Sequence, residues 1–197
     1  MRSKFVKKLV RMGLLCALSI VLVYLVHFPI FPSAPFLEYD MADVPIFIGA
    51  FMYGPASGLV LTAVVSVLQW LLISPQSGWV GAVMHFFATG AFVVAAGLIY
   101  RHFHTRKGAF LGLIAGTLSM TLMMIPLNLV FTVHFYGTPA EVVRSMMLPV
   151  IIPFNLIKAA GNSVITFLLY KSVGSALRLE RGGAASTKGK AEPECGQ

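Results

Sequence analysis

Apolar residues in this chain come in long blocks broken by short polar stretches, at about 9–28, 43–54, 56–74, 79–100, 109–135 and 147–173. A helix rises 1.5 Å per residue, so about 20 apolar residues cross the roughly 30 Å hydrocarbon core of a bilayer. Five blocks meet that length. The block 43–54 has twelve residues and covers only about 18 Å. Asp43 is placed to cap its start and Pro45 suits a first helical turn. It is expected as a short helix, buried against its neighbours. The pattern predicts an all-α integral membrane protein folded as a bundle of six transmembrane helices.

Composition agrees, with 57% hydrophobic and 11% charged residues, against about a quarter charged in soluble domains. The formal charge of +8 matters through its distribution. Arg2, Lys4, Lys7, Lys8 and Arg11 lie before or at the start of the first block, and Arg101, Arg106 and Lys107 lie between the fourth and fifth. Lys171, Arg178, Arg181, Lys188 and Lys190 come at or after the end of the sixth, whereas the connection 32–43 carries Glu38, Asp40 and Asp43 and no base. By the positive-inside rule both termini are expected in the cytoplasm, and the bases orient the chain in membrane lipid rather than bind nucleic acid. Residues 1–181 read as one membrane-embedded domain and 182–197 as a flexible polar cytoplasmic tail. No small-x-small cleavage site precedes Pro29, so the first block is expected to remain as a helix. Cys16 and Cys195 form no disulfide framework.

The polar residue that stands out is Lys158, inside the sixth block, with Asn155 at i−3 and Asn162 at i+4 on one helical face. A mid-membrane charge costs at least about 2.5–3.5 kcal/mol, so it marks a functional site by default. Its other reading is a structural pair with Glu38, Asp40 or Asp43 at the outer mouth, since Lys158 lies nine residues past Pro149, about 13 Å down the helix. Asn128, behind Pro126, is expected to face inward, as a site residue or as an interhelical hydrogen bond. Gln69 and His85 are weaker candidates of the same kind. The connection 31–43 joins Phe36, Leu37 and Tyr39 to acids, as in a lid over a pocket or an interfacial anchor. Trp70 and Trp79 suit an aromatic belt. Gly13 with Ala17, and Gly112 with Gly116, are small-residue pairs that permit close helix contacts, within the fold or with a partner. His102 and His104 read as solvated, and no metal site is expected. No P-loop, HExxH or GxSxG motif and no paired intramembrane carboxylates occur, so the chain is not expected to be an enzyme.

With these features the chain resembles the substrate-binding S components of energy-coupling factor (ECF) transporters, and within them the riboflavin-specific kind. The likeness is carried by Leu37-Glu-Tyr-Asp-Met-Ala-Asp-Val-Pro-Ile-Phe-Ile-Gly49, Tyr53-Gly-Pro-Ala-Ser-Gly58, Ser66-Val-Leu-Gln-Trp-Leu-Leu72 and Leu148-Pro-Val-Ile-Ile-Pro-Phe-Asn-Leu-Ile-Lys158, within about 10–175. The resemblance implies a bundle in the bacterial cytoplasmic membrane that captures riboflavin from outside under its first loop. It implies delivery inward with a transmembrane T component and two cytoplasmic ATPase subunits, which supply the ATP hydrolysis; no cofactor is implied for this chain. The flavin contacts it implies are Asp40, Asn128, Asn155 and Lys158, and the docking face Gly13 and Ala17. Relatives often carry an aromatic where this chain has Gln69 and Trp70. A flavin ring offers a polar edge to amides and a lysine, and an apolar edge that Phe36, Tyr39 and Phe154 can cover. Asp40 and Gln69 are candidates for the ribityl hydroxyls. Another vitamin, a phosphorylated flavin, and a non-catalytic membrane scaffold stay open as alternatives.

Overall fold

The computed structural model describes residues 2–31, 34 and 37–186 of the 197. Helix α1 (Arg2–Leu25) leads into a hairpin of β1 (His27–Pro29) and β2 (Glu38–Asp40), followed by α2 (Asp43–Tyr53), α3 (Pro55–Leu72), a single 3-10 turn (Pro75–Ser77) and α4 (Gly78–His102). Helix α5 (Arg106–Leu127) continues through a π-helical turn (Asn128–Thr132). A last column comprises α6 (Ala140–Met146), a second π-helical turn (Met147–Ile151) and α7 (Ile152–Ser186). Five helical segments are long and apolar enough to cross a membrane, and α2, at 11 residues, is the short one. Large side chains such as Leu14, Leu122 and Leu168 are about two-thirds exposed around the outside, as expected where lipid is the solvent.

Two expectations are corrected. The last column begins at Ala140, seven residues before the apolar block suggests. Asp43 does not cap α2: Ala42 holds the cap position with no side-chain bond, and the fully buried Asp43 carboxylate turns into the bundle. The polar segment 182–197 starts inside α7, which runs to Ser186; from 187 onward it lies outside the described residues.

Helix α2 is the pillar of the bundle. It packs against α1, α3, α4 and α7, and every residue from Asp43 to Phe51 is buried. Phe47 stacks on Phe92 of α4 with centroids 3.6 Å apart. The chain reverses between α2 and α3 at Gly54, whose φ of +87° strains any residue with a Cβ, and Pro55 then opens α3 where its missing N–H costs nothing. Gly58 lets α3 approach: a Cβ there would sit 2.5 Å from Val93 and 2.8 Å from Ala50. Gly58→Val is accordingly expected to destabilise the bundle by about 1–3 kcal/mol, through overpacking. Thermal unfolding in detergent measures it, and an unchanged midpoint would contradict this packing. The Gly112 and Gly116 pair serves the fold itself, since a Cβ on either would reach 2.9 Å from Ala96 or Phe92. Gly13 and Ala17 are exposed on α1, with open space over Gly13.

Candidate functional site

At the end of the bundle away from the basic loops, the hairpin folds down over α3, α4, α5 and α7. Its strands pair His27 with Asp40, Phe28 with Tyr39 and Pro29 with Glu38. Ala34 and Leu37 are buried against Val143, Met147, Ile151 and Phe154, so these two residues of the connection pack on protein. Phe36 lies outside the described residues.

Beneath the hairpin opens a cavity of about 220 Å³. Its wall includes Asp40, Gln69, Asn128, Phe154, Asn155 and Lys158, six residues singled out in the sequence, drawn from β2, α3, the end of α5 and α7. His85, a weaker candidate in the sequence, is on the wall too, and the other lining residues include His27, Trp70 and Tyr136. Tyr39 and Asn162 are not on the wall; they bond to each other instead. Trp79 is half exposed and packs edge-on against Phe135.

The ammonium of Lys158 lies 2.7 Å from Asp40 Oδ2 and 3.4 Å from the Glu38 carbonyl. Of the three carboxylates considered as partners, Asp40 is the one engaged. Asp40 also accepts from the Ala42 backbone N–H through Oδ1 (3.0 Å) and from Gln69 Nε2 through Oδ2 (3.3 Å). The ion pair is thus buried and hydrogen-bonded on both sides, as a charge in low dielectric requires. The pair borders an open cavity, so Lys158 is both paired to a carboxylate and on the cavity wall. Asn128 Nδ2 donates to the Met124 carbonyl and Asn155 Nδ2 to the Ile151 carbonyl, each 2.8 Å and one turn back. Both bonds sit at the π-helical turns, whose widened winding leaves carbonyls for side chains to satisfy.

A second polar layer ties the hairpin to the bundle, and two of its members, Ser66 and His85, also line the cavity. Asn162 accepts from the Tyr39 hydroxyl (3.0 Å) and donates to the Asp40 carbonyl (3.0 Å) and to Asp43 Oδ2 (3.4 Å). Burial pushes the Tyr39 phenol above its ordinary range, which keeps it a donor. Asp43 Oδ1 accepts from Thr89 (2.9 Å) and faces His85 Nε2 at 3.2 Å, and His85 Nδ1 meets Ser66 Oγ at 2.8 Å. This layer ties β2 to α2, α3, α4 and α7. At the hairpin's far strand His27 Nε2 meets Glu38 Oε2 at 2.6 Å. Sequence spacing gave no sign of it, because the pairing arises only when the strands meet. No cluster of metal-ligating side chains occurs among the described residues.

A cleft with a few polar groups on a mostly apolar wall, roofed by a hairpin and sunk into a bundle of membrane-length helices, is the geometry of a membrane protein with a small-molecule site. Comparison with known proteins makes the class specific. Residues 7–170 match the family model described as "ECF transporter, substrate-specific component", and the chain belongs to that family. It is 33% identical to the "Riboflavin transporter FmnP" of Bacillus subtilis (strain 168), over 84% of this chain and 90% of that one. It is 30% identical to the "Riboflavin transporter RibU" of Staphylococcus aureus (strain TCH60), over 87% and 93%. A solved structure described as the S component of a bacterial ECF transporter superposes with a TM-score of 0.75 at 32% identity, covering 87% of this chain and 97% of that one. The protein is therefore a multi-pass membrane protein with a role in transport.

Proposed function

We propose that this chain is the riboflavin-binding, substrate-specificity subunit of an ATP-driven ECF vitamin uptake transporter in the bacterial cytoplasmic membrane. The observation that carries this is the cavity walled by Lys158, Asn155, Asn128, Gln69, Asp40 and Phe154, in a chain whose relatives are named riboflavin transporters. The amides and the lysine meet the polar edge of the isoalloxazine ring, Phe154 its apolar part, and Tyr39 with Phe36 belongs to the covering loop. In this reading α2 counts as the sixth helix of the bundle and both termini are cytoplasmic, which puts the hairpin outside, where the vitamin arrives. Residues 1–181 form the binding domain and the polar tail follows. Gly13 and Ala17, exposed on α1, are the docking face for the T component, which with two ATPase subunits drives inward release.

Riboflavin is favoured over a phosphorylated flavin because Asp40 sits 2.7 Å from the Lys158 ammonium and takes up its charge, leaving no unpaired lysine or arginine on that wall among the described residues for a phosphate. A scaffold would need no cavity with these polar groups. The purified chain is expected to carry a yellow chromophore and to show tryptophan quenching on titration with riboflavin. Lys158→Ala combined with Asn155→Ala should weaken that binding by about tenfold or more, from two lost polar contacts of about 1 kcal/mol each. A folded double variant that binds as tightly as the parent would move the pocket elsewhere.

A further inference from the structure

We propose that a second cleft, at the basic end of the bundle between the α2–α3 turn and the end of α4, holds the phosphate of an anionic membrane lipid. This cleft measures about 300 Å³, and Tyr53, Gly54, Pro55, Gly97, Arg101 and His104 are on its wall. It shares no residue with the cavity under the hairpin. Close packing fixes its shape. A Cβ on Gly97 would lie 3.0 Å from Pro55 Cβ. The Tyr100 ring packs between Phe51 and His104, with centroids 4.7 Å and 5.5 Å away. Lys8 of α1 brings a third base beside the cleft, its ammonium 5.6 Å from the centre of the Tyr53 ring.

The charge here has no counterpart within the described chain. Among the described residues neither the Arg101 guanidinium nor the His104 imidazole forms an ion pair. Of the seven acidic residues, Glu38, Asp40, Asp43 and Glu141 belong to the hairpin end; the others are Glu180, Glu192 and Glu194. No carboxylate among the described side chains therefore balances these bases. The start of α3 opens on the same cleft without a side-chain cap. Its first bond runs from the Gly58 N–H to the Gly54 carbonyl at 3.1 Å, so the Ala56 N–H is among the donors that a helix start leaves for an anion. Depth decides which anion. Helix α4 belongs to a membrane-length segment, and Arg101 lies in its last turn, at the level where lipid headgroups begin. Basic pockets between helices at such an end hold anionic headgroups through charge complementarity. The inference goes beyond the riboflavin reading and stands independently of it.

The test is native mass spectrometry of the full chain in detergent, titrated with phosphatidylglycerol or with phosphatidylcholine of the same acyl chains. The parent is expected to hold phosphatidylglycerol about fivefold or more tighter than phosphatidylcholine. Arg101→Gln with His104→Gln should weaken phosphatidylglycerol binding about tenfold. Arg106→Gln with Lys107→Gln removes bases that are not on the cleft wall, and its affinity should stay within about twofold of the parent. Unfolding midpoints in detergent check that the variants are folded. If the cleft variant is not, Arg101→Gln alone takes its place, with an expected loss of about fivefold. Equal losses in the two double variants would mean diffuse attraction to a basic surface, and would overturn the proposal. So would equal affinity for the two lipids, or a folded cleft variant that binds phosphatidylglycerol like the parent. Inorganic phosphate that displaces the lipid at equal concentration would assign the cleft to a free anion instead. A cleft variant that keeps its lipid but no longer copurifies with partner subunits would make the cleft a protein contact, which also overturns the proposal.

Discussion

Asp40→Asn is expected to destabilise the protein by about 3–5 kcal/mol and to weaken riboflavin binding severely, whereas Asp40→Asn with Lys158→Met should recover most of the stability and none of the binding. The asymmetry follows from the ion pair. Asparagine keeps the shape of the side chain but removes the charge 2.7 Å from a lysine that is 8% exposed. Breaking one side of a buried pair strands the other charge away from water, which costs about 3–5 kcal/mol. Replacing the lysine by an uncharged side chain of similar length removes that penalty. The ligand, however, still meets a wall with no ammonium. Thermal unfolding in detergent and flavin titration, run on both variants, separate the two roles of Lys158. A single variant as stable as the parent would show that Asp40 is not what holds the lysine.

Asp43→Ala should be almost as damaging, for a different reason. This carboxylate is fully buried and takes hydrogen bonds from Thr89, His85 and Asn162. Truncation leaves those donors unpaired at about 1–3 kcal/mol each, partly relieved by rearrangement, so a loss of about 3 kcal/mol or more is expected. Thr89→Val, which removes one donor and leaves the carboxylate served by the others, should cost about 1 kcal/mol. Asn162 loses its support in Asp43→Ala, and through it the hairpin loses its anchor on Tyr39 and on the Asp40 carbonyl. Riboflavin dissociation by stopped flow should therefore quicken more in Asp43→Ala than in Thr89→Val. Equal dissociation rates in the two variants would uncouple this layer from the roof of the pocket.

The spans and the lysine were legible because both are written in single-residue hydrophobicity: a run of apolar residues needs no partner to be recognised, and neither does a charge inside one. Asn155 and Lys158 were placed together by helical spacing alone, and spacing also put Asn162 on their face. What spacing does not carry is depth. One turn further along α7, Asn162 meets the back of β2 and Asp43 rather than the cavity. The short hairpin escaped notice because a three-residue strand beginning at His27 has no alternation to read, and its neighbour begins amid prolines. Asp43 was misread for a physical reason as well. At a helix start an aspartate ordinarily bonds its own backbone, but here three donors from other helices outbid that local bond. His85 and Gln69 are weak signals in the sequence because their partners, Asp43 and Asp40, lie 42 and 29 residues away.

The shortness of α2 has an architectural consequence. Eleven residues rise about 16 Å, roughly half of the hydrocarbon thickness. Its column is helical from the basic end only as far as Asp43, and there the hairpin takes over, with Asp40 of β2 on the cavity wall. Lengthening the helix at its Asp43 end would consume the few residues between it and Asp40, so the brevity of this helix is what leaves that carboxylate on a strand, within reach of Lys158.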